Sequence, residues 1–413
     1  MKTLTIFITL IFITAFGASA QLLDRLGKRV ENKVKQRVDR KVDKAVDKGL
    51  DKVEEKIDKS TKPDQTKSSK TQRSDSANPE NHLISSDYDF IPGDELLFYD
   101  DYSNISLGDF PNRWNTNSSG KIVNISSHQG NWLLVPDNTI SFPELGKALP
   151  ENFTIEFDLY YPANSTRPPV TFGFSEVSNP AKQSIKGKKI FYFQISPSVG
   201  ENIGYSTSLY SGKETTREWE SNRNAGKVNH VSIAVNGQRI RLYVDTEKLF
   251  DLPRAIDFPT LRNNFHFRSA DLIPKPKDGF YVSNFRIAKV TKDLKSALIN
   301  DGKLSTVGIY FDSGSDNIKP VSYNLLNEIG VLIKNESSSI FDIVGHTDSD
   351  GSTQLNQNLS LQRAEAVCQY LIKNFNILKN NLNPIGKGSA EPLASNSTTE
   401  GKAQNRRVEF IKK

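Results

Sequence analysis

Two side chains of opposite charge, Asp348 and Arg363, lie in and just beyond a polar stretch that follows the apolar run 340–344. Apolar residues recur at helical spacing from 361 to 372, which predicts a helix that begins after Ser360, with the Ser360 hydroxyl as its cap. Arg363 would then occupy the first helical turn, where the helix dipole disfavours a cation, and a broken local rule often marks a functional site. We therefore expect Arg363 to face a ligand carboxylate and Asp348 to face a ligand ammonium.

The alternative interpretation of these two charges is an ordinary surface ion pair, which contributes little to stability. The wider sequence pattern favours the ligand site. The segments that carry it are IYFDSGSDNIKP (309–320), GHTDSDGS (345–352), NLSLQRAEAV (358–367), IGKGSAEPLASN (385–396) and GKAQNRRVEF (401–410). In order and spacing they resemble the peptidoglycan-binding signature of the OmpA-like C-terminal domain family, and the resemblance covers 307–413.

The resemblance implies a site for the diaminopimelate of peptidoglycan stem peptides, whose side chain ends in a free ammonium and a free carboxylate. Asp348 would take the ammonium and Arg363 the carboxylate, since a guanidinium can bind a carboxylate through two parallel hydrogen bonds. Further residues at matching positions would line the pocket (Asp312, Asn356 and Arg406) or supply hydroxyl or backbone contacts (Thr347 and Leu359). We expect binding without catalysis, and neither a cofactor nor a metal, because the domain shows no phosphate loop, metal cluster or nucleophile–base pair.

Apolar runs within 307–413 alternate between strand spacing and helix spacing. They predict strands at 307–311, 340–344 and 408–411, and helices at 320–334 and 361–374. Such alternation is typical of an α/β (α+β) domain of βαβ type, with helices packed on a sheet. The preceding stretch, 293–306, is predicted to be a partly helical connector.

Residues 93–292 are predicted to form an all-β domain. Short runs of alternating apolar and polar residues recur between turn signals, and Asn236-Gly237 is a strong hairpin signal. This pattern predicts an antiparallel β-sandwich of jelly-roll size. The segments FYDDYSNISLGDFPNRW, FTIEFDLYYP, NHVSIAVNGQRIRLYVD and YVSNFRIAK resemble parts of concanavalin A-like lectin and glucanase sandwiches.

The resemblance to glucanases raises the question of catalysis in the sandwich. Glucanases of this fold carry Glu-x-Asp-x-x-Glu on one strand, and retaining glycosidases need two carboxylates a few ångströms apart. Glu156 and Asp158 match the first two positions, but Tyr161 stands where the second glutamate belongs. We therefore expect polar residues on the open face of a strand. A sugar-stacking surface is another option, formed by the loop 178–189 with Trp114, Trp132 and Trp219, although isolated tryptophans in a sandwich are more often packing residues.

The N-terminal part of the 413-residue chain differs from these domains in composition. Residues 1–20 contain a lysine, an apolar core and an Ala-Ser-Ala ending, which predict a secretory signal peptide. The segment 21–59 has apolar residues mostly four positions apart among charged ones, which predicts a charged amphipathic helix. The polar segment 60–92 predicts a flexible linker. The single cysteine, Cys368, lies on an apolar helix face, so we expect a buried thiol. Gln21 rather than a cysteine follows the predicted cleavage site, so we expect no cysteine-linked lipid.

These features predict an exported, non-catalytic protein of the Gram-negative envelope, located in the periplasm or at the outer membrane. Its C-terminal domain would bind peptidoglycan, and its sandwich would contact the outer membrane, a glycan or a protein. The alternative is a wall-tethered polysaccharide-binding or glycan-hydrolysing protein that acts through the sandwich. The helix at 21–59 would allow self-association, although membrane-surface docking and a solvated single helix also fit its pattern. The net charge of +6 does not indicate a nucleic-acid partner, because much of the basic character lies near the N-terminus.

Overall fold

The computed structural model describes residues 88–162, 169–185, 187–196, 202–209, 215–218, 226–269, 279–291 and 293–413. These residues belong to one compact unit. Four parts of the sequence predictions lie outside the described residues: the signal peptide (1–20), the charged helix (21–59), the linker up to residue 87, and Trp219. The end of the predicted linker (60–92) is packed rather than flexible, because Tyr88 and Phe90 are buried against Tyr243. Within the described part of the chain, no helix is long and apolar enough to cross a membrane.

Strands dominate the first part of this unit. In chain order they are β1 (Glu95–Asp100), β2 (Trp114–Thr116), β3 (Lys121–Ile125), β4 (His128–Val135), β5 (Ile140–Pro143), β6 (Asn152–Tyr160), β7 (Val170–Ser175), β8 (Ile190–Ser196), β9 (Asn202–Thr207), β10 (Thr215–Glu218), β11 (Val228–Asn236), β12 (Arg239–Val244), β13 (Glu247–Leu252), β14 (Phe265–Ser269) and β15 (Phe280–Lys289). They form two antiparallel sheets, with the orders β13-β12-β11-β6-β15-β4-β3, where β1 also pairs with β15, and β10-β9-β8-β7-β14-β5-β2. The β-rich character of this region is confirmed, whereas the jelly-roll and concanavalin A-like assignments stay predictions.

The two sheets share one apolar core, which β6 illustrates. Its alternate residues Ile155, Phe157 and Leu159 are fully buried in that core, as the period-two alternation of a strand requires. The Phe157 ring packs edge-on against Phe172 of the second sheet, with ring centroids 5.2 Å apart. Each fully buried side chain of this kind contributes about 1.5–3 kcal/mol to stability.

The C-terminal part of the unit has the predicted α/β organisation. Its elements are β16 (Lys303–Thr306), α1 (Tyr323–Asn335), β17 (Phe341–Gly345), α2 (Thr353–Phe375), β18 (Leu382–Gly386), α3 (Thr399–Asn405) and β19 (Val408–Lys412). The sheet order is β16-β19-β17-β18, and the parallel pair β17 and β18 is connected through α2. Ile329 of α1, Val367 of α2 and Phe341 of β17 lie in the same apolar core, which fixes the helices on the sheet.

The predicted strand at 307–311 is absent, and the first strand of this sheet is β16, within the predicted connector. β16 pairs with β19. The backbone of Tyr310 is bonded to a loop instead: its N–H donates to the Ser322 hydroxyl (2.7 Å), and its carbonyl accepts from Lys319 (2.8 Å). These two bonds occupy the backbone N–H and carbonyl of Tyr310, which would otherwise bond to a neighbouring strand of a sheet. The predicted helical part of the connector is present as a short turn at Ser296–Asn300.

The prediction that the second helix begins after Ser360 is wrong, because α2 begins at Thr353. Ser352 is its cap, and the Ser352 hydroxyl accepts the N–H of Leu355 (3.3 Å). Ser360 lies inside the helix, where its hydroxyl donates to the Gln357 carbonyl (2.9 Å). Arg363 is therefore far from the first turn, and the argument from an unfavourable helix dipole does not apply to it.

The C-terminal domain covers the polar face of the first sheet. The Tyr310 hydroxyl donates to the Glu156 carboxylate on β6 (2.7 Å), and the Asn324 side chain donates to the Phe90 carbonyl (3.1 Å). Glu156 is only 1% exposed. The prediction that this face of the strand is open to solvent is therefore wrong at Glu156, because a second domain packs on it. The alternation of apolar and polar residues within one strand cannot reveal that second domain.

Candidate functional site

The loop after β17 holds Asp348 in a fixed position. The side-chain amide of Asn356 donates to the carbonyls of Asp348 (3.3 Å) and Asp350 (3.0 Å). The Asp350 N–H in turn donates to the Asp348 carboxylate (3.0 Å). The Asp348 side chain is 11% exposed. Asn356, predicted to line the pocket, therefore acts from the first turn of α2 by shaping the loop that carries the acid.

Thr347, next to Asp348, carries the side-chain hydroxyl of this loop that is a further candidate for ligand contact. Its N–H donates to the Gly388 carbonyl (2.9 Å). Its hydroxyl is buried and makes no hydrogen bond to any of the described residues. Because a buried polar atom usually has a partner, this hydroxyl is a candidate contact for a ligand, in line with the predicted role of Thr347.

Arg363 extends from the middle of α2 and has no carboxylate within ion-pair distance among the described residues. Its Nε donates to the Ser315 carbonyl (3.0 Å), and its guanidinium lies over the Phe311 ring, 4.8 Å from the centroid. Burial and the neighbouring Arg406 guanidinium lower the pKa of Arg363 from its ordinary value of 12.5. Both effects disfavour the charged form, so an anion bound here would be stabilising.

Arg406 follows α3 directly and is the arginine that pairs with Asp348. Its Nη1 donates to Oδ2 of Asp348 at 2.6 Å. Its Nη2 donates to the Tyr99 hydroxyl at 3.3 Å and lies 3.8 Å from Oδ2 of Asp101. Burial works against the charge of Arg406, but Tyr99, Asp348 and Asp101 outweigh it and raise the Arg406 pKa. Asp348 is therefore already engaged by a cation of its own chain.

A cavity of about 150 Å³ lies between Arg363 and Arg406. Two further arginines, Arg286 and Arg407, line it, and its lining among the described residues includes no carboxylate. Arg286 and Arg407 are paired with glutamates elsewhere. Arg406 is paired with Asp348, so Arg363 is the guanidinium of this lining without an ion-pair partner among the described residues. It makes the cavity chemically suited to a carboxylate, which accepts charge-assisted hydrogen bonds from such a donor.

Of the predicted site residues, Arg363 and Arg406 line this cavity, whereas Thr347, Asp348, Asn356, Asp312 and Leu359 do not. Asp312 is exposed in the turn before α1, where its N–H donates to the Asn317 carbonyl (3.0 Å). It lines a larger cleft of about 620 Å³ between the C-terminal domain and the first sheet. Leu359 lies half-buried on α2 and does not line the 150 Å³ cavity. The structure thus brings Thr347, Asp348 and Arg406 together with Arg363 nearby, but not Asp312 or Leu359.

A second charged cluster lies beneath the C-terminal domain, on the first sheet. Nη1 of Arg286 donates to Glu156 (2.5 Å), and Nδ1 of His230 lies 2.8 Å from Oδ1 of Asp158. Burial disfavours the charged His230 ring, but Asp158 and Glu156 outweigh it and raise the pKa of His230 to about 10. His230 is therefore a cation at neutral pH, and each carboxylate of the cluster has a cationic partner.

That pairing bears on catalysis in the sandwich. Burial raises the pKa of both acids, but Arg286 for Glu156 and His230 for Asp158 outweigh it, so both pKa values are lowered. A general acid in a glycosidase needs the opposite shift. Tyr161 is fully buried in the apolar core, on the other face of the strand. These observations give no support to acid–base chemistry at this position.

The tryptophans that were considered for sugar stacking are packing residues where the structure describes them. Trp114 is 4% exposed and its Nε1 donates to Asp100 (3.1 Å). Trp132 is 2% exposed and packs near Tyr160, with ring centroids 6.1 Å apart. A stacking surface built on these two rings is therefore wrong, because neither ring presents a face to solvent.

Sequence reasoning did not identify Tyr99 and Asp101 as neighbours of the site. Tyr99 lies in β1 and Asp101 directly follows that strand, in a segment that resembles a sandwich strand. Tyr99 is 307 positions before Arg406 in the chain. Only the packing of the two domains brings them together, so no local signal in the sequence could have indicated this contact.

Comparison with known proteins covers the C-terminal domain. Residues 310–406 match the OmpA family. The probable lipoprotein YiaD of Escherichia coli is 43% identical over 102 residues, which are 25% of this chain and 46% of that protein. The peptidoglycan-binding protein ArfA of Mycobacterium tuberculosis is 35% identical over 119 residues, 29% of this chain and 35% of that protein. The crystal structure of the peptidoglycan-associated lipoprotein from Burkholderia pseudomallei is 27% identical over 26% of this chain and 89% of that chain, with a TM-score of 0.24. The chain thus spans less than half the length of these two curated relatives.

Proposed function

We propose, from the OmpA family domain at residues 310–406, that this protein binds peptidoglycan through its C-terminal part. The observation that carries the proposal is Arg363: a half-buried guanidinium without an ion-pair partner among the described residues, beside a cavity lined by arginines. The similarity to ArfA, which is named a peptidoglycan-binding protein, supports the same ligand class.

The ligand group that fits this arrangement is the zwitterionic end of diaminopimelate. Its carboxylate would enter the cavity and bind Arg363 through two parallel hydrogen bonds. Its ammonium would bind Asp348, next to the Thr347 hydroxyl, which has no hydrogen-bond partner in the described part of the chain. Since Asp348 is bonded to Arg406, the ligand ammonium would take the place of that guanidinium, and Arg406 would then turn to the ligand carboxylate.

The remainder of the chain would connect the wall to another component of the cell envelope. The similarity to YiaD, which is named a probable lipoprotein, supports an envelope location. The sandwich would contact the outer membrane, a glycan or a protein, and the segment 21–59 would allow self-association. No catalytic step is part of this proposal, since both acids of the sandwich cluster are paired with cations.

Sedimentation of the full chain with purified diaminopimelate-type sacculi tests this function through Asp348. Asp348→Asn is expected to weaken binding by about 1.5–3 kcal/mol, because it removes the charge that accepts the ligand ammonium. Asp350→Asn is the matched control, since the Asp350 carboxylate pairs with Lys402 on the surface. If Asp348→Asn and the wild-type protein sediment equally with sacculi, Asp348 does not bind the ligand ammonium.

A further inference from the structure

At the end of β1, Tyr99 and Asp101 of the sandwich lie next to Arg406, the cation that is paired with Asp348. The Tyr99 hydroxyl accepts a hydrogen bond from Arg406 (3.3 Å), and the Asp101 carboxylate lies 3.8 Å from the same nitrogen. The Arg406 guanidinium also lies 5.7 Å from the centroid of the Tyr99 ring. Arg406 is therefore held by Asp348 from its own domain and by two groups from the other domain.

We infer that the sandwich restrains the wall-binding site: Tyr99 and Asp101 hold Arg406 on Asp348, and the ligand must compete with them. This inference rests on the proposed function, because it concerns the access of the same zwitterion to the same acid. Arg406 bonds to Oδ2 of Asp348 and the Asp350 N–H bonds to Oδ1, so a ligand ammonium competes with Arg406 for this carboxylate. Every contact that stabilises Arg406 in its present position therefore stabilises the closed arrangement and lowers the apparent affinity for ligand.

The charge balance of the site supports this direction of effect. Arg363 and Arg406 carry two positive charges, and the C-terminal domain itself places Asp348 and Asp316 near Arg363. Asp101 adds a further negative charge from the sandwich, beside Arg406. An additional carboxylate beside Arg406 repels a ligand carboxylate, so the sandwich reduces the attraction that the C-terminal domain would exert by itself.

A second contact fixes the helix that positions Arg406. Arg113 of the sandwich forms an ion pair with Glu400 in α3. Arg113 also donates to the Tyr99 carbonyl (3.2 Å), and its guanidinium lies 4.1 Å from the centroid of the Phe98 ring. The position of α3, and with it the reach of Arg406, is thus coupled to the same strand that carries Tyr99.

The test is calorimetric titration of the full chain with meso-diaminopimelate. Asp101→Asn keeps the oxygen that accepts the Ser103 N–H (3.0 Å) but removes the charge beside Arg406. Tyr99→Phe removes only the hydroxyl. Each variant is expected to bind about three- to fivefold more tightly than the wild type, the size of effect that a partly exposed ion pair or one hydrogen bond supplies. Asp109→Asn removes an exposed acid elsewhere in the sandwich and is the control for net charge.

Whether these variants raise or lower the affinity for meso-diaminopimelate decides between two roles of Tyr99 and Asp101. A rise indicates that they restrain Arg406, and a fall indicates that they contact the ligand directly. Tighter binding by both variants, and loss of binding when Arg363→Ala is added to either, supports the restraint. Unchanged or weaker binding by Asp101→Asn and Tyr99→Phe overturns it, while binding that still depends on Arg363 leaves the proposed function standing. Absence of binding in the wild type and in both variants would instead remove the proposed function, and the restraint with it.

Discussion

Arg363→Ala is expected to abolish most of the binding to diaminopimelate-type sacculi while the domain stays folded. The substitution removes a guanidinium that has no ion-pair partner among the described residues, so no buried acid is left unpaired. Loss of a desolvated, charge-assisted contact to the ligand costs about 2–5 kcal/mol of binding free energy. Sedimentation with sacculi, or titration with a soluble muropeptide, measures the loss.

Two further variants test whether the loss of binding is due to the Arg363 guanidinium itself and not to the loss of any positive charge on α2. Arg363→Lys keeps the charge but not the two parallel donors, and it is expected to bind more weakly than the wild type and more tightly than Arg363→Ala. Lys373→Ala removes an exposed cation from the same helix and should bind as the wild type does. Binding by Arg363→Ala at the wild-type level would exclude the cavity as the carboxylate site.

The second large effect concerns stability. Glu156→Ala is expected to lower the free energy of unfolding by about 3–5 kcal/mol, because it leaves the buried Arg286 without its anion. The same change removes the acceptor of the Tyr310 hydroxyl, which comes from the C-terminal domain. Denaturant-induced unfolding of the full chain, followed by far-UV circular dichroism and by tryptophan fluorescence, measures the loss.

The control for this prediction is an ion pair on the surface of the same sheet. Asp251 pairs with Arg239 at 2.6 Å, and both side chains retain access to solvent. Asp251→Ala should therefore change stability little, since exposed pairs are screened by water. If Glu156→Ala and Asp251→Ala had the same small effect, the buried cluster would not contribute to holding the two domains together.

Sequence reasoning succeeded where a local pattern determined the structure. The helix predicted at 320–334 corresponds to α1, because its apolar spacing continues through the whole element. The Asn236-Gly237 signal gives a hairpin between β11 and β12, with Gly237 at a φ of +59°. Cys368 is buried, as its position on an apolar helix face indicated, and burial raises the pKa of its thiol to about 12.

Sequence reasoning failed where the first turns of a helix are polar, and where a contact joins residues that are distant in the chain. The first turns of α2 are mostly polar and exposed, so hydrophobic periodicity could not mark a start at Thr353. The identities of Asp348 and Arg363 follow from the motif, but the hydrogen bond between Asp348 and Arg406 does not. The contact of Arg406 with Tyr99 depends on how two domains pack, and no periodicity or motif describes that packing.

The central claim is that one zwitterion is held between the Arg363 guanidinium and the Asp348 carboxylate. Calorimetry of the full chain with three stem tetrapeptides tests it most directly. Their third residue is meso-diaminopimelate, lysine, whose side chain ends in an ammonium alone, or α-aminopimelate, whose side chain ends in a carboxylate alone. We expect the meso-diaminopimelate peptide to bind more tightly than both others, and Arg363→Ala to erase its advantage over the lysine peptide. Equal affinity of the wild-type protein for all three ligands would contradict the claim.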